Sequence, residues 1–408
     1  MSARRLHSRS GLAMIAVLLV LMALFVLCAP FLITVRNADQ ASSETADRAV
    51  QRITLDMGVR HAEAELAPSH PALDATPYFD DLEELAVAAD FPDGFLASSD
   101  PTQPMWEVEA LDVAGKIDLA SASPHVLANL IGGAARLTKL AKADDKELEL
   151  SDGDGFLAEG AVYVERELVH YSQRDGSKLA GLTRGLLHEP GEVGATCGPQ
   201  PAADHDVGAY AIDQRAWALC EWRLAGADVR AYDGIEEVRE ARTSMLGPEL
   251  GREAFLALER NASAYAHVRA GARWQRAVRM LAPVGGAPDY GCELALDDTR
   301  WFNAGTTVRI SDGKNTEVAL VRSAAEGSLV LMRPLAHRFE AGETLVSPLA
   351  RTPVNVNTAS PAVLAALWTN LKLRGRSARL TAGEAKDLVD VVLASRPFTG
   401  FEDFLRRV

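Results

Sequence analysis

Residues 12–35, LAMIAVLLVLMALFVLCAPFLITV, make 24 consecutive positions without a charged side chain. As an α-helix the run would be about 36 Å long, against a bilayer hydrocarbon core of about 30 Å. Lipid offers no partner to backbone N–H and C=O groups, so an isolated run of this kind has one solution, a spanning helix. The apolar stretch of a cleaved secretory signal is shorter, about 7 to 15 residues. Arg4, Arg5 and Arg9 precede the run, while Arg36 is soon followed by Asp39, Glu44 and Asp47. That asymmetry predicts a single pass with the N-terminus in the cytoplasm and the bulk of the chain in the periplasm.

The helix is expected to continue into water. Residues 37–66 contain no proline and set Ala49, Ile53, Met57 and Ala64 on one helical stripe. Pro30 is a possible kink. A chain of 408 residues is too long for one core, and two or three units are expected. A formal charge of −14 argues against a general polyanion-binding surface. The cysteines, Cys28, Cys197, Cys220 and Cys292, show no CxxC spacing. With Cys28 in the apolar run, the other three could supply one disulfide, its pairing open.

The chain writes one phrase twice. IDLASASPHVLANL at 117–130 and VNVNTASPAVLAAL at 354–367 share seven of 14 positions. In each, Ser-Pro precedes an apolar helical pattern, with serine suited to the N-cap and proline to the first turn, where its missing N–H is not needed. A second repeat follows: YDGIEEV at 232–238 matches FTGFEDF at 398–404, with Asp233/Glu236 and Thr399/Glu402 at capping-box spacing. Helical stretches at 212–224 and 384–395 come before them. Each unit therefore reads as cap, helix, connection, helix, aromatic turn, helix: a helix-hairpin-helix type of unit occurring twice.

Two β modules interrupt this scheme. Residues 150–194 place Val162, Val164, Leu168, Val169, Tyr171, Leu179 and Leu182 in short β-prone runs between Asp-Gly turns. A looser copy at 294–346 pairs Gly305 with Gly160, the Gly327-Ser328-Leu329 turn with the one starting at Gly176, and Arg333, His337 and Gly342-Glu343 with Arg184, His188 and Gly191-Glu192. The stretch 251–281 between the modules reads as helical.

Chemistry-bearing residues are sparse. Asp152 and Asp154 in SDGDG, with Asp144, Asp145 and Glu147 nearby, could offer oxygens to calcium, although the twelve-residue loop and its terminal glutamate are missing. A solvated acidic turn is the plainer reading. His188, His205 and His337 belong to no HExxH, no GxSxG has suitable partners, and no glycine pattern cradles a phosphate. No catalytic residues and no enzyme are expected. From residue 351 onward there are nine Lys or Arg against five Asp or Glu, a surplus of four cations. A DNA-binding hairpin approaches phosphate through a tight Gly-x-Gly turn, however, and Gly375 and Gly383 lie eight positions apart. Nucleic acid is not the expected partner.

Several of these features together carry a resemblance. A basic leader ending in RSG, an abrupt uncharged helix and an amphipathic extension with MGVRHAEAEL resemble type IV pilin-like proteins, in which a prepilin peptidase cuts after glycine. The matching bond is Gly11 to Leu12. Filament-forming members carry glutamate at the fifth mature position, where it pairs with a neighbour's free amine; here that position is Ala16. The departure is shared by the large minor pseudopilin of type II secretion, the general secretion pathway protein K family, whose helical domain the pattern "VNVNTAS, helix, helix, RPFTGFEDF" also resembles. The helix-hairpin-helix ending resembles the competence-type DNA receptor as well, and a minor pilin for adhesion would share the leader.

The protein K resemblance implies an α+β fold in this order: leader 1–11, transmembrane and spine helix 12–66, pilin-like head and the first half of one helical unit 67–149, β module 150–197, the unit's second half 210–245, helical connector 246–291, β module 292–348, and a second SAM-like helical unit 353–408. It implies a subunit at the tip of a periplasmic pseudopilus, anchored in the inner membrane, that starts pseudopilus assembly and supports protein export across the outer membrane. Its partners would be minor pseudopilins of the I and J types, other pseudopilus subunits, the assembly platform and prepilin peptidase. Ala13, Ala16, Ala49, Ile53 and Met57 would form its helix-packing seam, small residues allowing close approach. Members are thought to hold calcium in the helical domain, which would favour Asp152 and Asp154.

Overall fold

The computed structural model describes residues 9–65, 95–97, 107–109, 113–165, 167–185, 202–225, 228–229, 235, 238, 250–264, 274–285, 291–373 and 379–408. The fold is α+β, with a long apolar helix near the N-terminus and several small sheets. It divides into two compact units, Met1–Pro77 with Asp81–Leu111, and Tyr78–Asp80 with Asp112–Val408.

In the first unit, helix α1 spans Arg9–Glu65, 57 residues, and runs through Pro30 without a break. Beyond the apolar run it carries i,i+4 ion pairs, Arg48 with Glu44 and Arg60 with Asp56. Strands Phe95–Ala97 and Glu107–Glu109 pair antiparallel in the same unit.

The second unit has three apolar cores. The first gathers short helices: α2 (Pro124–Leu130), α3 (Gln214–Trp222), α4 (Arg252–Asn261), α5 (Pro361–Trp368), α6 (Ala382–Ser395) and α7 (Phe401–Arg407). Leu127, Trp217, Phe255, Leu364, Val392 and Phe398 lie buried at its centre. Helix α2 packs on α5, so the two copies of the repeated phrase touch each other, while α3 packs on α2 and α6 on α5.

The copies agree at the level of single bonds. Asp118 and Asn355 each accept the backbone N–H two residues on, both at 3.0 Å. Their carbonyls accept Ala122 and Ala359 N–H, at 2.9 and 3.0 Å. Ser123 and Ser360 then cap their helices, accepting from Val126 and Val363 N–H at 3.4 and 3.2 Å. The first copy's aromatic turn, at 232–238, lies outside the described residues except at 235 and 238. In the second copy the buried amide of Asn357 clamps the turn from both sides, donating to Phe398 O and accepting from Phe398 N–H.

The other two cores are small barrels of matching topology. In the second, six strands run in the order Val278–Arg279, Leu345–Pro348, Thr307–Ser311, Thr316–Ala325, Ser328–Leu331, Glu293–Ala295. A bridge between Met280 and Leu296 joins the outermost strands and closes the sheet. In the first, the order is Ala134–Arg136, Tyr210–Asp213, Gly160–Val164, Glu167–Tyr171, and the chain continues past Ser172 into a second sheet ordered Gln173–Asp175, Lys178–Ala180, Glu147–Glu149. A bridge between Leu137 and Leu150 makes the same closure. The break at Ser172 has its counterpart in a register shift between Val321 and Ser323. Closure leaves no long unpaired edge, and the interiors fill with side chains such as Leu148, Val162 and Leu179 in one and Leu294, Ile310 and Leu329 in the other.

Both barrels reach further than the expected modules. The first takes its outer strand from 134–136 and its closing strand from 210–213, the latter overlapping at 212–213 a stretch read as helical. The second begins at Val278, within the expected helical connector; helix α4 ends at Asn261 and Ala262–Ser263 pairs in parallel with Ile117–Asp118.

Candidate functional site

The described side chains of the apolar run point outward: Leu19 is 61% exposed and Phe25 76%. The helix is long and apolar enough to cross a bilayer, with mean hydropathy 3.0 over its most apolar window. Gly11 and Leu12 lie within α1, and so does Ala13. Ala16 and Ala49 are exposed, and beyond the apolar run Ile53 and Met57 are 60% and 52% exposed. Ala49, Ile53 and Met57 of the stripe that the sequence places on the helix therefore face outward, and the side chain of Ala64 lies outside the described residues.

The acidic turn is self-contained. Asp152 accepts the N–H of Asp154 at 3.0 Å, and Arg174 lies 3.9 Å from the Asp154 carboxylate. Among the described residues no group of three or more His, Cys, Asp or Glu converges to hold a metal, so these two aspartates gain no further ligands there. Cys292 is disulfide-bonded, whereas Cys28 and Cys220 are free, which removes Cys220 from the three candidates; Cys197 lies outside the described residues. Burial pushes the Cys220 thiol up to about 11.

Of the three histidines singled out in the sequence, His188 lies outside the described residues. His337 is exposed and sits 2.6 Å from Glu317. His205 is buried in an ionic knot in the first barrel. Its Nε2 lies 2.9 Å from Glu167 and its Nδ1 3.2 Å from Glu165, while Glu167 also takes a two-pronged contact from Arg184 and the N–H of Ala203. Burial works against the Glu167 carboxylate, but His205, Arg184 and Ala203 outweigh it and hold its pKa down to about 2. Burial likewise works against the imidazolium of His205, and the two glutamates outweigh it, raising its pKa. His205 exchanges both backbone hydrogen bonds with Ala141; in the second barrel Phe339 does so with Val284. The knot thus stands where the other copy has a buried phenyl ring.

Between α2, the two barrels and the α5–α6 connection lies a cleft of about 920 Å³. One wall is a polar network: Tyr210 donates to Asn129 Oδ1, and Asn129 Nδ2 donates to the carbonyls of Ala366 and Thr369 at 2.8 and 3.2 Å. Tyr210 stacks on His125, their rings 6.1 Å apart and within 4° of parallel. Burial, then the charges of Arg351 and Arg379, lowers the His125 pKa to about 4, so the ring is neutral near pH 7. No sequence motif announces this site, because its residues come from eight separated stretches of chain.

Comparison with protein-family models, with curated proteins and with solved structures returns no match.

Proposed function

We propose that the protein is a membrane-anchored minor pseudopilin that caps a periplasmic pseudopilus and nucleates its assembly for type II secretion. On this reading prepilin peptidase cuts between Gly11 and Leu12, and residues from Leu12 onward pack against the helices of smaller subunits, including minor pseudopilins of the I and J types. The α2–α3 and α5–α6 pairs serve as two helix-hairpin-helix units of a rigid head. The observation that carries the proposal is the single continuous helix of 57 residues, which begins at the RSG motif and keeps Ile53 and Met57 uncovered beyond its apolar run. An apolar stripe in water invites a partner helix.

A physical argument favours the tip. Subunits of a helical filament stack head over head, and a body reaching from residue 112 to 408 would obstruct the subunit above it. The first test is the mature N-terminus of protein extracted from its native membrane, read by mass spectrometry. A start at Leu12 is expected; an intact Met1 would instead favour a permanently anchored receptor. The second is substitution of Ile53 and Met57 by Asp, which should abolish co-isolation with partner subunits while the head stays folded. Retained partners would remove the seam.

A further inference from the structure

The cleft between the barrels carries a charge opposite to that of the whole chain. Arg322, Arg351, Lys372 and Arg379 line it, from a barrel strand, the segment leading to the second phrase and both sides of the α5–α6 connection. The one carboxylate among the described lining residues, Glu165, already faces His205 at 3.2 Å. In a chain with a formal charge of −14, this is a local excess of cations in a concave site, where low-dielectric walls focus the field. Burial first, and after it the charges of Arg351 and Arg379, lowers the pKa of His125, so both arginines act on this wall of the cleft. Beside the charges, Leu367 and Leu371 supply apolar surface, and Asn303, Thr369 and Asn370 supply amide and hydroxyl groups.

We propose that this cleft binds an acidic peptide segment in extended form. Its carboxylates would meet Arg351, Arg379 and Lys372, Arg being suited to two-pronged carboxylate recognition. Apolar side chains would lie over Leu367 and Leu371, and the amide groups would serve the peptide backbone. The mixed lining favours a peptide over a bare anion, and a volume of about 920 Å³ falls in the range of specific ligand sites. A long nucleic acid would have to approach against the net charge of the whole body. The inference stands on the cleft alone and does not depend on the secretion reading.

The test is fluorescence anisotropy on the full chain in detergent, with a labelled octapeptide of alternating Glu and Leu. A Gln–Leu peptide of the same length and an oligothymidylate of equal charge serve as comparisons. The Glu peptide should bind, weaken steeply with added salt and lose about tenfold or more in affinity with Arg351→Gln plus Arg379→Gln. Arg351→Lys should lose less than Arg351→Gln. Both arginines are exposed, so the variants should fold, which far-UV circular dichroism checks. Arg379 also donates to Asn370 O, so Arg351→Gln alone is the second variant and should lose part of the affinity. Equal binding of the Gln peptide, binding undiminished in the variants, or tighter binding of the oligonucleotide would each overturn the proposal.

Discussion

The side-chain amide of Asn129 donates to the carbonyl of Ala366 at 2.8 Å, and Ala366 occupies in the second copy of the repeated phrase the position that Asn129 holds in the first. The copies thus meet through their own equivalent residues, and asymmetry at that one position makes the bond. Asn129→Ala removes donations to two carbonyls and the acceptor for Tyr210. A loss of about 1–3 kcal/mol in unfolding free energy is expected, measured by urea titration. Asn129→Asp should be no better, because it presents a carboxylate to two carbonyl oxygens. An unchanged midpoint in both variants would show that the copies do not depend on this link.

Gly115, two residues ahead of the first copy, makes a tighter approach to the second. A Cβ there would stand 2.8 Å from the backbone carbonyl carbon of Thr358 and 2.9 Å from Ala359 N, both in the second phrase. Backbone cannot yield as a flexible side chain does, so Gly115→Ala should destabilise the fold by about 1–3 kcal/mol despite the ordinary helpfulness of Ala for Gly. Thermal unfolding reads the outcome, and a raised midpoint would mean that the approach is looser than described.

The ionic knot predicts a pH profile. Glu167, held down to about 2 from an ordinary 4.5, contributes stability that is full above pH 4.5 and lost as pH falls toward 2. His205, raised above 6.5, contributes stability that is full below pH 6.5 and lost as pH rises past its folded value. The knot therefore stabilises most between about pH 4.5 and 6.5. His125 acts the other way: lowered from 6.5 to about 4, it contributes fully above pH 6.5 and loses that contribution as pH falls. Comparing wild type with His205→Phe, the residue type of the other barrel, holds His125 constant. The gap in unfolding free energy should be about 2 kcal/mol at pH 6 and smaller at pH 9. A gap that is flat with pH would mean that His205 is neutral in its knot.

How far the sequence leads differs from part to part. The repeated phrase is legible because cap chemistry is local: serine, proline and three apolar positions specify the same turn in both copies. The uncharged run is legible because lipid leaves so few solutions. The barrel limits are not, since strands such as Ala134–Arg136 and Val278–Arg279 are too short to show any alternation, and Tyr210–Asp213 runs straight into a helix whose pattern hides it. The knot stays hidden because Glu167, Arg184 and His205 are far apart in the sequence, so His205 is singled out there without the partners that the barrel brings to it. The cleft is a product of tertiary structure alone.

The first barrel's two ends meet. Its outer strand, Ala134–Arg136, pairs with its closing strand, Tyr210–Asp213, and Asp213 N–H donates to Gly133 O at 2.7 Å. At the same joint Gly155 lies so close to Gly132 that a Cβ on it would fall 1.9 Å from the Gly132 oxygen. A chain that leaves and returns at one point asks its host for no span and little loop-closure entropy. To the helices on either side the whole barrel is a hairpin turn. Such a cassette could be lengthened, exchanged or removed over evolutionary time without disturbing the helix pairs that carry it, and the second barrel, lying between helices α4 and α5, has the form of a copy set down in another slot.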